Sequence, residues 1–226
     1  MNNPTVIIYG ASQFARVITH LIEDHTNYQI IGYLDDRQNT WGDNFMNKRI
    51  LGGSSVLDET TKRPFTNVVI GFGDTAGRWK LTNELEKKGV KFLSIMHPDA
   101  SVSRNVVLGE GSIVQGGVAI DPYVNIGKNV LLNKNTNIGH DTSIGDGCHI
   151  ASGACLAAKC YIGSGTMIGM NASILSGVKI GQNSLIGAGA VVTKNIPDKA
   201  VAWGSPAKVH KFQDPIQENC TQIIIK

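Results

Sequence analysis

From Val102 to Val192 an aliphatic residue recurs at every sixth position: Val102, Leu108, Val114, Ile120, Ile126, Leu132, Ile138, Ile144, Ile150, Leu156, Ile162, Ile168, Ile174, Ile180, Ile186 and Val192. Four residues after each stop comes a small or β-branched side chain, among them Val124, Thr142, Cys148, Ala154 and Cys160. Gly follows the stop directly at 109, 127, 139, 145, 163, 169, 181 and 187. A period of six matches neither the 3.6-residue turn of a helix nor the alternation of one long strand, and Gly at this density would cost a helix about 1 kcal/mol per residue. Short strands bent at regular corners satisfy it. The stop and the residue four later then point inward, and equivalent residues stack ~4.8 Å apart in successive coils. The pattern predicts a three-sided parallel β-helix of about five turns, a stack of ~25 Å, over residues 98–196.

Ahead of the repeat the pattern changes. Thr5 to Tyr9 reads as a buried strand ending at Gly10, Phe14 to Ile22 has helical apolar spacing, and Tyr28 to Leu34 reads as a second strand closed by Asp35-Asp36. Such a strand–turn–helix sets backbone N–H groups at a helix N-terminus, a seat for phosphate. The turn Gly10-Ala-Ser-Gln-Phe-Ala15 holds one of the three glycines of a dinucleotide fingerprint, which argues against NAD, and it also fits an ordinary strand–helix connection. After a polar, irregular stretch at 37–65, Val68 to Gly73 reads as a strand, Asp74 to Lys88 as an amphipathic helix and Val90 to Ile95 as a last strand. Residues 1–97 are thus expected to form a Rossmann-like α/β unit with the junction at His97-Pro98, and 197–226 a tail.

Composition narrows the class. The 226 residues carry a net charge of +3 without basic blocks, so neither nucleic acid nor an anionic membrane is expected as a partner. No apolar run approaches the ~20 residues that span a bilayer, and the opening residues do not read as a signal peptide. Cys148, Cys155, Cys160 and Cys220 form no CxxC pair, and Cys148 and Cys160 fall in the inward column, so a reduced, cytoplasmic protein is expected.

Corner positions of the repeat point outward, and one holds His140 beside Asp141. A carboxylate beside an imidazole fixes its tautomer and favours the imidazolium, which suits a general base. An exposed His with an incidental acidic neighbour is the plain alternative.

The opening Tyr-Gly-Ala-Ser, the Leu34-Asp35-Asp36 strand end and Gly139-His140-Asp141 in mid-repeat together resemble the left-handed β-helix sugar acyltransferases. The similarity is to the PglD and NeuD type, and it spans nearly the whole chain. It implies an acetyl-CoA-dependent N-acetyltransferase of bacterial surface glycan biosynthesis, O-antigen included. The implied acceptor is the 4-amino group of a nucleotide-linked 4-amino-4,6-dideoxy sugar, or of a 2-acetamido-4-amino-2,4,6-trideoxy sugar, and the active sites lie between the subunits of a homotrimer. By resemblance His140 is the base, Asp141 its acidic neighbour, and Asn133 a polar residue near the amine. Gly10, Ala11 and Ser12 then bind pyrophosphate, with Asp35 and Asp36 near the nucleoside. His149, Ala158, Met170 and Ala188 line the acetyl-CoA track along a helix corner, Gly204 to Lys208 closes over the coenzyme, and Lys194 or Lys208 meets its phosphates. Relatives commonly have Gly-His where this chain has Gln13-Phe14, which bears on the identity of the sugar.

No nucleophilic Ser or Cys stands out, so direct transfer is expected, with no metal. Three other readings use the same residues. An O-acetyltransferase of sialic acid or another sugar hydroxyl would use the same His-Asp pair. A metal-dependent β-helix hydratase would need three His ligands, whereas the repeat holds only His140 and His149. A purely structural β-helix of the ice-binding kind would display regular outward Thr rows, and the outward positions here are mixed.

Overall fold

The computed structural model describes residues 3–58 and 65–213. Strand β1, Thr5–Tyr9, buries Val6, Ile7 and Ile8 completely. Helix α1, Gln13–His25, begins at Ser12, whose hydroxyl accepts the N–H groups of Phe14 and Ala15, two of the donors a helix start leaves open. Ala15, Ile18, Leu21 and Ile22 form its buried stripe, with Thr19 among them. Strand β2, Gln29–Leu34, pairs parallel with one side of β1, and a third parallel strand, Asn67–Ile70, pairs with the other. Strand order therefore reverses between β1 and the third strand, whose ends are followed by Gly10 and Gly71, and such a switch point is the crevice where open α/β sheets bind ligands.

The stretch expected to be irregular contains a short hairpin, Asn44–Phe45 with Lys48–Arg49, between two 3-10 turns. Helix α2, Thr75–Lys87, is capped by Asp74, whose carboxylate accepts the Gly77 N–H. The expected last strand at 90–95 does not form as such. Phe92 makes a single bridge to Val68, and the chain then leaves the α/β sheet. Ile95–Met96 pairs instead with Ile113–Val114, so the ladder of the second domain starts two residues before His97.

That second domain is a parallel β-helix of two-residue strands on three faces. Face I runs from Ser101–Val102 to Val191–Val192, face II from Val107–Leu108 to Lys179–Ile180, and face III from Ile95–Met96 to Leu185–Ile186. Each stop meets its equivalent eighteen residues on, as Ile120 meets Ile138 and Ile138 meets Leu156. About six turns result, one more than the repeat alone suggested, because Ile95–Met96 adds a strand at the start and Ile196 and Ala200–Gly204 add further rungs at the end. The stops from Val114 onward and the residues four later are buried and form one continuous core. Gly139 shows why the residue after a stop is so often Gly: a Cβ there would lie 2.6 Å from the Ala158 nitrogen of the next coil. Three residues after a stop the backbone turns left-handed, and Asn, Asp or Gly mostly occupies that place, as at Asn135, Asp141 and Gly153.

Outward residues of face III are covered by the first domain. Ile95, Ile113 and Leu131 pack in one cluster with Leu93 and with Ile18, Leu21 and Ile22 of α1. Apolar burial of this kind stabilises by ~25 cal/mol per Å² and fixes the two domains against each other. At the far end a hairpin extends face III: Ala200–Gly204 pairs parallel with Leu185–Ile186, and Ala207–Phe212 returns antiparallel. The 197–226 tail is therefore ordered sheet as far as Phe212, while Cys220 and Ile223 to Ile225 lie outside the described residues. Cys148, Cys155 and Cys160 are free thiols, and burial pushes Cys148 up to about 12. Among the described residues no helix is long and apolar enough to cross a membrane.

Candidate active site

His140 stands at the corner between faces I and II, in the turn after strand Asn137–Ile138. The next residue, Asp141, has φ 57°, which turns its carboxylate back onto the ring. His140 Nδ1 and Asp141 Oδ2 are 2.7 Å apart, and the two side chains are 51% and 47% exposed. With its proton on Nδ1 donated to the carboxylate, the ring presents Nε2 outward as an acceptor. The corner borders a cleft of about 290 Å³ lined by Asp121, Asn137, His140, Cys155 and Ala158 among others.

Corner residues stack in columns, and the columns separate the residues expected to form one coenzyme track. His140 and Ala158 share a corner, since the Lys159 N–H donates to the His140 carbonyl and the Gly177 N–H to that of Ala158. Met170 and Ala188 lie on the corner between faces III and I, where the Gly189 N–H donates to Met170. His149 is on no corner. It sits within strand His149–Ile150 of face III and is only 9% exposed, because the first domain covers it. Lys208 is exposed in the returning strand of the terminal hairpin, opposite Trp203.

Asn133 occupies the corner before that of His140, with strand Asn137–Ile138 between them, and it does not line the His140 cleft. Its Nδ2 lies 2.9 Å from His149 Nε2, and its Oδ1 accepts from Gln115 Nε2 at 2.9 Å. His149 Nδ1 in turn lies 3.0 Å from the Gly73 carbonyl oxygen. Donation to that carbonyl puts the proton on Nδ1 and leaves Nε2 to accept from Asn133. Burial pushes the His149 pKa down to about 4; the bond to Gly73 opposes the shift and the charge on Arg78 adds to it. Among the described residues no three His, Cys, Asp or Glu side chains gather as a metal-holding group.

A second cleft, of about 460 Å³, opens at the crevice of the α/β sheet. Gly10, Ala11, Ser12 and Asp35 line it, as the sequence suggested, together with Arg16 and Arg37, which it did not. Gly10 has φ 103°, and a Cβ there would lie 2.6 Å from the Phe72 ring, so the turn needs glycine for conformation and for space. Asp35 accepts from the Ala11 N–H at 3.0 Å, the Arg37 N–H at 3.0 Å, and the Arg37 side chain through Nε and Nη2 at 2.8 Å each. Burial works against ionisation of Asp35, but these donors outweigh it and hold the carboxyl below its usual range. All four lone-pair directions of Asp35 are thereby used. Asp36 does not line the cleft; it accepts from the Tyr9 hydroxyl at 2.8 Å and the Ser54 N–H at 3.0 Å.

What sequence reasoning missed at this cleft is the cations. Arg37 Nη1 and the whole Arg16 guanidinium make no hydrogen bond among the described residues, and Arg16 lies 5.7 Å from the centre of the Phe45 ring. An Arg directly after Asp35-Asp36, and another one helical turn past the N-cap Ser12, were the available signals.

Residues 5–85 match the PglD N-terminal domain model, and residues 123–158 and 159–194 match the bacterial transferase hexapeptide model of six repeats. The acetyltransferase domain of PglB from Neisseria gonorrhoeae FA1090 is similar at 27% identity and a TM-score of 0.84, over 92% of this chain and all of that one. PerB from Caulobacter crescentus, solved with CoA and GDP-perosamine, is similar at 28% identity and a TM-score of 0.85, over 92% of this chain and 97% of that one. WeeI from Acinetobacter baumannii AYE, at 24% identity and a TM-score of 0.70 over 91% of this chain and 99% of that one, shares the fold. Among curated protein sequences none matched significantly.

Proposed function

Starting from the chain's place among the left-handed β-helix sugar acyltransferases of the PglD type, we propose that it transfers the acetyl group of acetyl-CoA to the 4-amino group of a nucleotide-linked 4-amino-4,6-dideoxy sugar, with His140 as general base. One observation carries the reading: an imidazole held at 2.7 Å by Asp141, with Nε2 facing outward at a corner that borders a cleft. The GDP-perosamine and CoA bound to PerB support it chemically.

In this reading the free amine attacks the thioester carbonyl carbon as His140 Nε2 takes the amine proton. Asp141 stabilises the imidazolium. The tetrahedral intermediate collapses with cleavage of the C–S bond, and CoA thiolate leaves and is protonated. A backbone N–H steadies the oxyanion. Gly10, Ala11 and Ser12, with Arg16 and Arg37, receive the diphosphate, and Asp35 acts by shaping that turn. Asp36, tied to Tyr9 and Ser54, lies toward the nucleoside side.

The separated corners favour a homotrimer, in which the corner of one copy carrying Asn133, Met170 and Ala188 faces the neighbour's His140 and Ala158. Lys194 or Lys208 meets the coenzyme phosphates. Acetyl-CoA consumption with GDP-, UDP- and dTDP-linked 4-amino sugars, against their 4-hydroxy counterparts, tests the proposal. Transfer confined to the hydroxyl sugars would overturn it.

A further inference from the structure

Four consecutive carbonyls follow one another at the end of the third strand, and each is taken by a side chain. Arg78 Nη1 donates to Ile70 at 3.0 Å and to Phe72 at 2.9 Å, Ser12 Oγ to Gly71 at 2.6 Å, and His149 Nδ1 to Gly73 at 3.0 Å. The donors come from α2, from the cap of α1 and from face III of the β-helix. Phe72, in the middle, walls the diphosphate cleft. Beyond Gly73 the line continues through His149 to Asn133 and Gln115. Hydrogen bonds thus connect the turn at Ser12 with the corner that carries Asn133, through one short loop.

A nucleotide sugar has its nucleotide at one end and the reacting amine at the other, and both ends must be held at once. An error of about 1 Å in that register costs on the order of 10²-fold in rate. His149 cannot itself move a proton to substrate, since it is buried and both ring nitrogens are engaged. Resting on the acetyltransferase reading above, we propose that His149 is a positioning residue that sets the register between the diphosphate cleft and the acyl-transfer corner through the loop from Ile70 to Gly73. Only the neutral ring with its proton on Nδ1 can donate to Gly73 and accept from Asn133 together. Protonation would force the amides of Asn133 and then Gln115 to reverse.

Two variants and one spectrum test this. His149→Ala removes both bonds, and His149→Asn keeps a donor in reach of Gly73. With folding verified by circular dichroism, His149→Ala is expected to bind CoA alone, and UDP or GDP alone, within about threefold of wild type, while kcat with the nucleotide amino sugar falls at least tenfold. His149→Asn recovers part of kcat. In ¹⁵N-histidine-labelled wild type the His149 Nδ1–H resonance should move when UDP or GDP, whichever binds, fills the cleft. A folded His149→Ala with kcat within threefold of wild type overturns the proposal. So does a loss matched by weaker binding of one ligand alone, or a resonance indifferent to nucleotide. Should wild type acetylate no amino sugar, the acetyltransferase reading fails by itself, and the spectrum still decides whether the cleft and His149 are linked.

Discussion

His140 and Asp141 are neighbours in the chain, and they meet ring to carboxylate at 2.7 Å because the backbone of Asp141 is left-handed, at φ 57°. In an extended backbone consecutive side chains point to opposite sides; the corner brings these two together. General-base assistance contributes ~10²–10⁴ in rate. His140→Ala is therefore expected to lower kcat by that order while leaving measurable turnover, followed by thiol release from acetyl-CoA. Asp141→Asn should lose less, because it keeps the ring in place and removes only the charge. Turnover of His140→Ala near that of wild type would remove the base from the mechanism.

The acid limb of stability should depend on His149. Its folded pKa, pushed down to about 4, lies below the ordinary value of 6.5. Between those values the unfolded chain binds the proton and the folded one does not. The contribution is fully present above pH 6.5 and is lost as pH falls through 4, on the order of 3 kcal/mol in all. Urea unfolding at pH 7.5 and at pH 4.5 should show a smaller loss for His149→Asn than for wild type; equal losses would contradict the assignment.

Much of this was legible from spacing. A six-residue rhythm specifies three-sided coils, and it also specifies which corners coincide: Ala158 follows His140 by three repeats and must stack on it, whereas Met170 cannot. Read this way, the sequence already divides the expected coenzyme track between two corners. Rhythm says nothing about what covers an outward position, and so His149, one residue before a stop, looked accessible. Its burial comes with the docking of the first domain, whose Gly73 loop meets it on face III, a tertiary event without a local signal. The stretch from Val90 to Ile95 misled for a related reason. Its apolar residues suit either sheet, and the chain uses Phe92 for one and Ile95 for the other.

Arg78 should prove costly to remove. It is fully buried and donates to the carbonyls of Ile70, Phe72 and Asn129, with no carboxylate bonded to it among the described residues. Desolvation pushes it down to about 10, still far above neutral, so it remains charged. Arg78→Ala leaves three carbonyls without donors and opens a cavity, for an expected loss of about 3–5 kcal/mol. Arg78→Lys, which keeps the charge but not the fork, should fall between. Denaturant midpoints with unchanged m-values check both.

Gly139→Ala isolates the packing of coils from the chemistry beside it. Its Cβ would press on the backbone of Ala157 and Ala158, which cannot yield as a side-chain end would. Overpacking of this kind costs about 1–3 kcal/mol. Because His140 follows directly, kcat should also fall while affinity for UDP or GDP, for which the proposed seat is in the other domain, stays within about twofold.

Arg37→Ala should act on the opposite end. It leaves the Asp35 carboxylate held by two backbone N–H groups but without a counter-charge at the cleft of the first domain, replacing attraction of an anionic ligand by repulsion. Affinity for nucleoside diphosphate is expected to drop at least tenfold by titration calorimetry, with CoA affinity unchanged. Arg37→Ala, Asp35→Asn together should recover part of the loss.

A ladder whose partners lie eighteen residues apart can change height only in whole storeys. Inserting or deleting one storey would carry His140 about 4.8 Å along the axis with its corner unchanged, whereas an edit of six or twelve residues would turn it onto another corner, and an edit that is no multiple of six throws every inward side chain beyond it out of phase. The spacing between the first-domain cleft and the His140 corner is therefore quantised in this architecture. If the two clefts hold opposite ends of one acceptor, as proposed above, a lineage adapting to a longer or shorter acceptor has to resize the loops of the first domain or move a full rung at once.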